Sequence, residues 1–212
     1  MATITTTTTQ TATSEAISLR GSCAIIKEFF GDSVCSILDQ RGIYPRTHFK
    51  RVCKYDRPIF VADNPELKEF LQKYMDQVER WLLKCDLKKL VLVILSRDTN
   101  EPLERWVFNV SMERDENMNP KLQGRRDPKA IQADIRTIIR QITMSVTYLP
   151  LIDGPVKFDL LAYTSVDSEV PIEFEETDAM ELDDAEEVKL HDLDSGVHKV
   201  GTSVQYSTKM FS

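Results

Sequence analysis

The sequence predicts an α+β domain in which three helices pack on a mostly antiparallel sheet. Apolar residues recur at three- and four-residue steps along three long stretches, the spacing of amphipathic helices. The run Leu90 to Leu95 is too short for a helix and continuously apolar, as expected of a strand buried on both faces. Alternating stretches bounded by turn residues supply that strand with neighbours. At 212 residues and 42% hydrophobic side chains, the chain suits one domain with appendages.

Residues 1–14 hold eight threonines and almost nothing apolar, which predicts a disordered lead-in with too little burial to offset ordering entropy. A first helix is expected from about Ser14 to Gln40. Ser14 is its N-cap, Leu19, Cys23, Ile26, Phe30, Val34 and Ile37 form its stripe, and Gly42 with Pro45 ends it. A second helix starts at Asn64–Pro65, with proline in its favoured first turn. Its apolar face is Leu67, Phe70, Leu71, Tyr74, Val78, Trp81 and Leu82. Leu90–Leu95 follows as the central strand. A turn over Asp98–Pro102 then leads to a partner strand in which Trp106, Phe108 and Val110 alternate.

The polar stretch from Ser111 to Pro128 reads as a long surface loop. A third helix covers about Asp127 to Val146, capped by Asp127, with Ile131, Ile135, Ile138, Ile142 and Val146 buried. Val156 to Tyr163 is a strand. After an acidic segment, Glu187–Leu193 and Val197–Tyr206 read as two strand-like pieces joined by a turn at Asp194–Gly196.

The net charge of −7 conceals an asymmetry. Residues 166–212 hold 13 acids against three bases, and Glu173 to Glu187 alone holds nine acids and no base. The remainder is mildly basic. A self-repelling acidic stretch resists packing, so it is either a solvated loop or a segment able to change position against the body. The balance argues against nucleic-acid binding, which needs clustered Lys and Arg. The longest apolar run is six residues, against roughly 20 for a membrane helix. The first sixteen residues lack Lys and Arg, so no secretory or transit peptide is expected and the chain reads as intracellular.

No chemistry is signalled. Cys23, Cys35, Cys53 and Cys85 fit neither a zinc pairing nor a disulfide scaffold. Cys85 reads as a small hydrophobe under a helix end rather than a reactive thiol. His48, His191 and His198 form no helical ligand pair, and no glycine-rich phosphate loop or nucleophile elbow occurs. Paired carboxylates would have to come from Glu175, Glu176, Asp183 and Asp184, in a run too mobile to hold separated pKa values. No enzyme, metal or cofactor is expected.

Several stretches, in order, resemble the mitotic arrest deficient (spindle-checkpoint) branch of the HORMA-domain family. They are Ser18-Leu19-Arg20-Gly21-Ser22, Glu28-Phe29-Phe30, and Gln40-Arg41-Gly42-Ile43-Tyr44-Pro45. Leu103-Glu104-Arg105-Trp106 and Ile138-Ile139-Arg140-Gln141-Ile142-Thr143 follow, then Phe158-Asp159-Leu160-Leu161, Val170-Pro171 and Val197-His198-Lys199-Val200. The resemblance spans about residues 15–206, leaving 1–14 as lead-in and 207–212 as tail.

It implies three helices on a sheet with a mobile C-terminal safety belt, about residues 166–206, that switches between open and closed topologies. In the closed form the belt wraps a short peptide that pairs with a sheet edge. The implied partners are a coiled-coil checkpoint scaffold at kinetochores and the activator of the anaphase-promoting complex, whose capture delays anaphase. A comet-type silencing adaptor, a hexameric remodelling ATPase and an open–closed homodimer are implied as well, in nucleus, kinetochore and cytoplasm. The same fold also serves translesion polymerases and the meiotic chromosome axis, an alternative that these motifs favour less.

By the same resemblance, Phe158, Leu160, Leu161, Tyr163, Val170, Pro171 and Phe174 would bind the peptide. His198, Val200, Val204 and Tyr206 would form the hairpin that locks the belt. Arg140, Gln141 and Tyr148 would form the dimer and adaptor interface, and Leu19 would pack differently in the two topologies. Phe174 stands where the family usually has Trp, and the last residues differ from the usual ending.

Overall fold

The computed structural model describes residues 17–112, 126–172, 174 and 177–208. The lead-in 1–14, most of the expected 111–128 loop and the last four residues of the tail lie outside the described residues.

Helix α1 (Leu19–Gln40) starts later than Ser14, because Ser18 takes the cap instead. Ser18 is extended, and its hydroxyl accepts the Gly21 amide at 3.1 Å, satisfying one of the orphan donors of the first turn. The helix runs through the middle of the core. Phe29 and Phe30 are fully buried and meet Phe108 with ring centroids 5.9 and 5.5 Å away.

A hairpin follows that the sequence reading missed: β1 (Phe49–Lys54) pairs with β2 (Arg57–Ala62) through a two-residue turn. Tyr55 and Asp56 take φ of 53° and 57° there, without the Asn-Gly pair that usually marks such turns. The hairpin is pinned to α1 at buried Asp32. That carboxylate accepts Lys54 Nζ at 3.0 Å and the Tyr55 hydroxyl at 2.8 Å. Desolvation pushes the Asp32 carboxyl up, and these two donors partly offset it.

Helix α2 (Pro65–Leu83) begins as expected, Asn64 Oδ1 accepting the Leu67 amide at 3.0 Å. Helix α3 (Pro128–Met144) is capped by Asp127. It stops short of Val146, which is exposed rather than part of the buried stripe. The Ser145 hydroxyl donates to Ile142 O at 2.7 Å and Thr147 Oγ1 to Met144 O at 2.8 Å. The end tightens into a 3₁₀ turn over Ser145–Thr147 that turns Val146 outward.

The main sheet is antiparallel throughout, in the order β5 (Val156–Tyr163), β3 (Lys89–Ser96), β4 (Pro102–Met112), β8 (His198–Ser207), β6 (Ala185–Lys189). The expected piece Glu187–Leu193 is divided: β6 and the short β7 (Leu193–Asp194) pair separately with β8. Gly196, at φ 84°, makes the turn between β7 and β8. Leu90 to Leu95 is buried on both faces, as predicted. One face packs Leu90, Leu92 and Ile94 under the helices, and the other gathers Val91, Val93, Leu95, Val107 and Leu161 in a smaller cluster.

Candidate functional site

The candidate site lies along the outer edge of β5, whose one neighbouring strand among the described residues is β3. The Arg97 amide donates to Pro155 O at 2.9 Å, in register with Val93↔Asp159 and Leu95↔Lys157. In an antiparallel ladder this parity turns the odd residues of β5 toward β3 and sends the amides and carbonyls of Val156, Phe158, Leu160 and Ala162 outward.

From Tyr163 the chain leaves the sheet and loops past α2 before returning at β6. It is tied down as it goes. The Ser165 amide donates to Asp86 O at 3.0 Å, and Trp81 Nε1 donates to Glu169 O at 3.1 Å. Phe174 wedges between Tyr74 and Trp81, each ring centroid 5.2 Å away. A cavity of about 430 Å³ remains between this strap and β5, lined by Tyr74, Trp81, Leu160, Ala162, Val170 and Phe174 among others. The strap then passes over the sheet's other face. There the buried Arg105 guanidinium pairs with Glu181 and donates to Ala179 O, and Met180 covers the smaller apolar cluster.

The expected peptide-binding residues divide between two faces. Phe158 and Leu160 look toward the helices, with Phe158 between Tyr44 and Phe70 at 6.0 and 5.9 Å. Leu161 and Tyr163, one residue out of phase, belong to the opposite face, Tyr163 carrying Lys89 Nζ 4.9 Å from its ring centroid. Val170 and Pro171 sit on the strap, Val170 half exposed.

Across the sheet, His198, Val200, Val204 and Tyr206 are all buried in β8. The Ser22 hydroxyl lies 2.7 Å from His198 Nδ1 and 2.6 Å from Ser195 Oγ, joining the start of α1 to the C-terminal hairpin. Burial depresses the His198 imidazole to about 4, so it is neutral at physiological pH. Next to this flank, Arg41 and Glu104 form a buried ion pair at 2.8 Å, and Trp106 Nε1 donates to Glu104 at 2.6 Å. Leu19 is half buried against the core.

On α3, Arg140 is exposed. Gln141 Oε1 accepts the His191 amide at 2.8 Å, tying the helix to the segment between β6 and β7. Tyr148 is exposed beside Met144 and Leu151 in chain order, which leaves apolar surface past the helix end.

Tyr74 and Phe70 acquire roles that periodicity alone hid. Tyr74 packs in the core face as expected, but its hydroxyl donates to Leu160 O at 2.8 Å. Phe70, expected to be buried, is 44% exposed, with its ring against Tyr74 and Phe158 at 6.1 and 5.9 Å. An indole in the second helix signals only a core anchor; its N–H bond to the strap has no counterpart in a sequence pattern. Asp183 and Asp184 are solvent-exposed, and Glu175 and Glu176 lie outside the described residues. Burial pushes the Cys23 and Cys35 thiols up to about 11. Among the described residues no group of three His, Cys, Asp or Glu side chains is placed to hold a metal.

The family model for the HORMA domain matches residues 22–198. The chain belongs to the HORMA-domain family. The mitotic spindle assembly checkpoint protein MAD2A of Mus musculus is 42% identical over 202 residues, covering 94% of this chain and 97% of that one. MAD2A of Dictyostelium discoideum is 45% identical over 190 residues, covering 90% and 93%. A chain in the crystal structure of the mitotic checkpoint complex superposes with a TM-score of 0.81 at 38% identity, covering 89% of this chain and 99% of that one.

Proposed function

We propose that this HORMA domain is a spindle assembly checkpoint adaptor that captures a short extended peptide between the β5 edge and the strap, and thereby helps inhibit the activator of the anaphase-promoting complex. The observation that carries the reading is the placement of the C-terminal hairpin. With β8 paired to β4, the β5 edge is left for an incoming strand beneath a tethered strap. This corresponds to the closed form that the family resemblance describes. The main-chain groups of β5 supply affinity, and the aromatic wall of Phe158, Tyr74, Trp81 and Phe174 supplies pockets for alternate side chains. The relatives that match nearly the whole chain are checkpoint proteins, which favours this branch over the polymerase and meiotic ones.

The proposed ligands belong to a coiled-coil kinetochore scaffold and to the activator. Arg140, Gln141 and Tyr148 form the face for an open–closed homodimer or a comet-type adaptor, and the lead-in is a handle for a hexameric ATPase. The protein works at kinetochores, in nucleus and cytoplasm, as an adaptor rather than an enzyme. Limited proteolysis of residues 160–212 tests the reading, with and without a peptide carrying a basic residue beside apolar ones and a nearby proline. Slow-onset protection that survives dilution is the expected result; unchanged cleavage with peptides from every candidate partner defeats it.

A further inference from the structure

We infer that Asp159 is a positioning residue that guards the capture edge: its carboxylate caps the one outward amide at the centre of β5, and an incoming strand must displace it. The inference rests on the peptide-capture reading above and adds a barrier built into the capture edge.

The four outward positions of β5 are not equivalent. The Leu160 amide donates to Asp159 Oδ1 at 2.8 Å, and the Leu160 carbonyl accepts the Tyr74 hydroxyl at 2.8 Å. The Val156 carbonyl accepts Arg97 Nε, also at 2.8 Å. The outward groups of Phe158 and Ala162 meet no partner among the described residues. The central position is therefore closed on both its groups while its neighbours stay open.

An exposed strand edge is a template for indiscriminate pairing, and charged side chains turned over it are one of the ways folded proteins protect it. Asp159 is suited to that duty. It pairs with Val93 in the ladder, on the face opposite Leu160, and its side chain folds back over the edge. A carboxylate accepting an amide makes a charge-assisted bond, stronger than the neutral one a peptide carbonyl would offer in its place.

The two caps differ in what they demand of a ligand. A carbonyl oxygen has two lone pairs, so a peptide amide can bond Leu160 O while Tyr74 stays. An amide has one hydrogen, so Asp159 must leave before a peptide carbonyl bonds Leu160. The barrier lies on the Asp159 side, and the open groups of Phe158 and Ala162 are where a strand first takes hold.

The test compares Asp159→Ala and Asp159→Asn with the unaltered full chain. The ligand is a fluorescein-labelled peptide carrying one Lys, adjacent Leu residues and a downstream Pro, and its association is followed by anisotropy at fixed ionic strength. Asp159→Ala is expected to speed association roughly tenfold, the worth of one charge-assisted hydrogen bond. Asp159→Asn, which keeps an acceptor oxygen without the charge, is expected to fall between. If Asp159 instead served to attract the basic residue of the ligand, its removal would slow association. Slowing or an unchanged rate overturns the inference.

Exchange of the Leu160 amide in the empty protein, followed by NMR, reads the cap without any ligand. It should quicken roughly tenfold in Asp159→Ala, and equal exchange in the two proteins also overturns the inference. Failure of the unaltered chain to capture any peptide would count against the adaptor reading and leave the exchange experiment to judge the cap.

Discussion

Val204 sits beside Trp106 on one flank of the sheet, and Phe158 sits beside Ile94 on the other. Val204 is fully buried, in a strand that pairs with β4 along nine positions from Glu104↔Tyr206 to Met112↔His198. Phe158 is half buried, in a strand whose outer groups are capped by side chains or left open. The β8 flank holds a buried imidazole and a buried ion pair, neither of which tolerates water or the loss of a partner. The β5 flank is lined with aromatic rings that tolerate both. On the proposed reading, the difference separates two duties of one sheet: the β8 flank fixes the arrangement, and the β5 flank stays adaptable so that a foreign strand can enter.

Matched substitutions on the two flanks put that division at risk. Arg41→Met leaves Glu104 buried without its cation and should cost about 3 kcal/mol or more in chemical denaturation. Phe158→Ala should cost only about 1–2 kcal/mol, because the ring is half exposed in the folded chain. Equal costs would erase the distinction. Phe174→Ala, which empties the wedge between Tyr74 and Trp81, should raise proteolysis of the strap roughly tenfold while lowering the global unfolding free energy by less than about 1 kcal/mol. A full loss of global stability would mean that the strap belongs to the core.

Acid sharpens the comparison from the β8 side. The folded His198 imidazole titrates near 4 and an unfolded one near 6.5, so below about pH 6.5 the unfolded chain binds a proton that the folded chain refuses. The contribution of His198 to stability is whole above that pH, declines as pH falls toward about 4, and is gone beneath it. Thermal melting should show this as a drop of several degrees that is flattened in His198→Gln. The smallest effect is electrostatic. Residues 166–212 carry a net charge of −10, so raising salt from about 0.05 M to about 0.5 M should slow capture of a basic peptide several-fold. Insensitivity to salt would remove charge from the account of recognition.

Much of the helical layer was legible because local chemistry decides it. Asn64–Pro65 and Asp127–Pro128 each put a cap and a first-turn proline where the helix starts. Leu90–Leu95 had no other place than the middle of a sheet. The misses are equally physical. Ser14 and Ser18 are both competent caps, and sequence alone does not say which hydroxyl meets an amide. Phe49–Lys54 alternates too weakly, and its turn uses Tyr55 and Asp56 in left-handed conformation, so the hairpin shows only once Asp32 is seen holding it. The flank chosen by β8 is the deepest case. Its alternation of buried and exposed residues suits either edge of the sheet, so pattern gives the strand but not its partner. The resemblance named Leu161 and Tyr163 together with Leu160, and the pleat then sent them to opposite faces.

The strap is continuous with the sheet at both ends, leaving at Tyr163 and rejoining at Ala185. On the proposed reading, a peptide lying on β5 is threaded as well as bound, like a cord through a closed buckle. Its ends would have to slip through the loop, or the β8 zipper would have to come apart, before it could escape. Tension along the cord would reach the β6–β8 ladder first and, through β8, its pairing with β4. The lifetime of such a complex is set by the buckle, and a ligand of modest intrinsic affinity can be held for as long as the far side of the sheet stays shut.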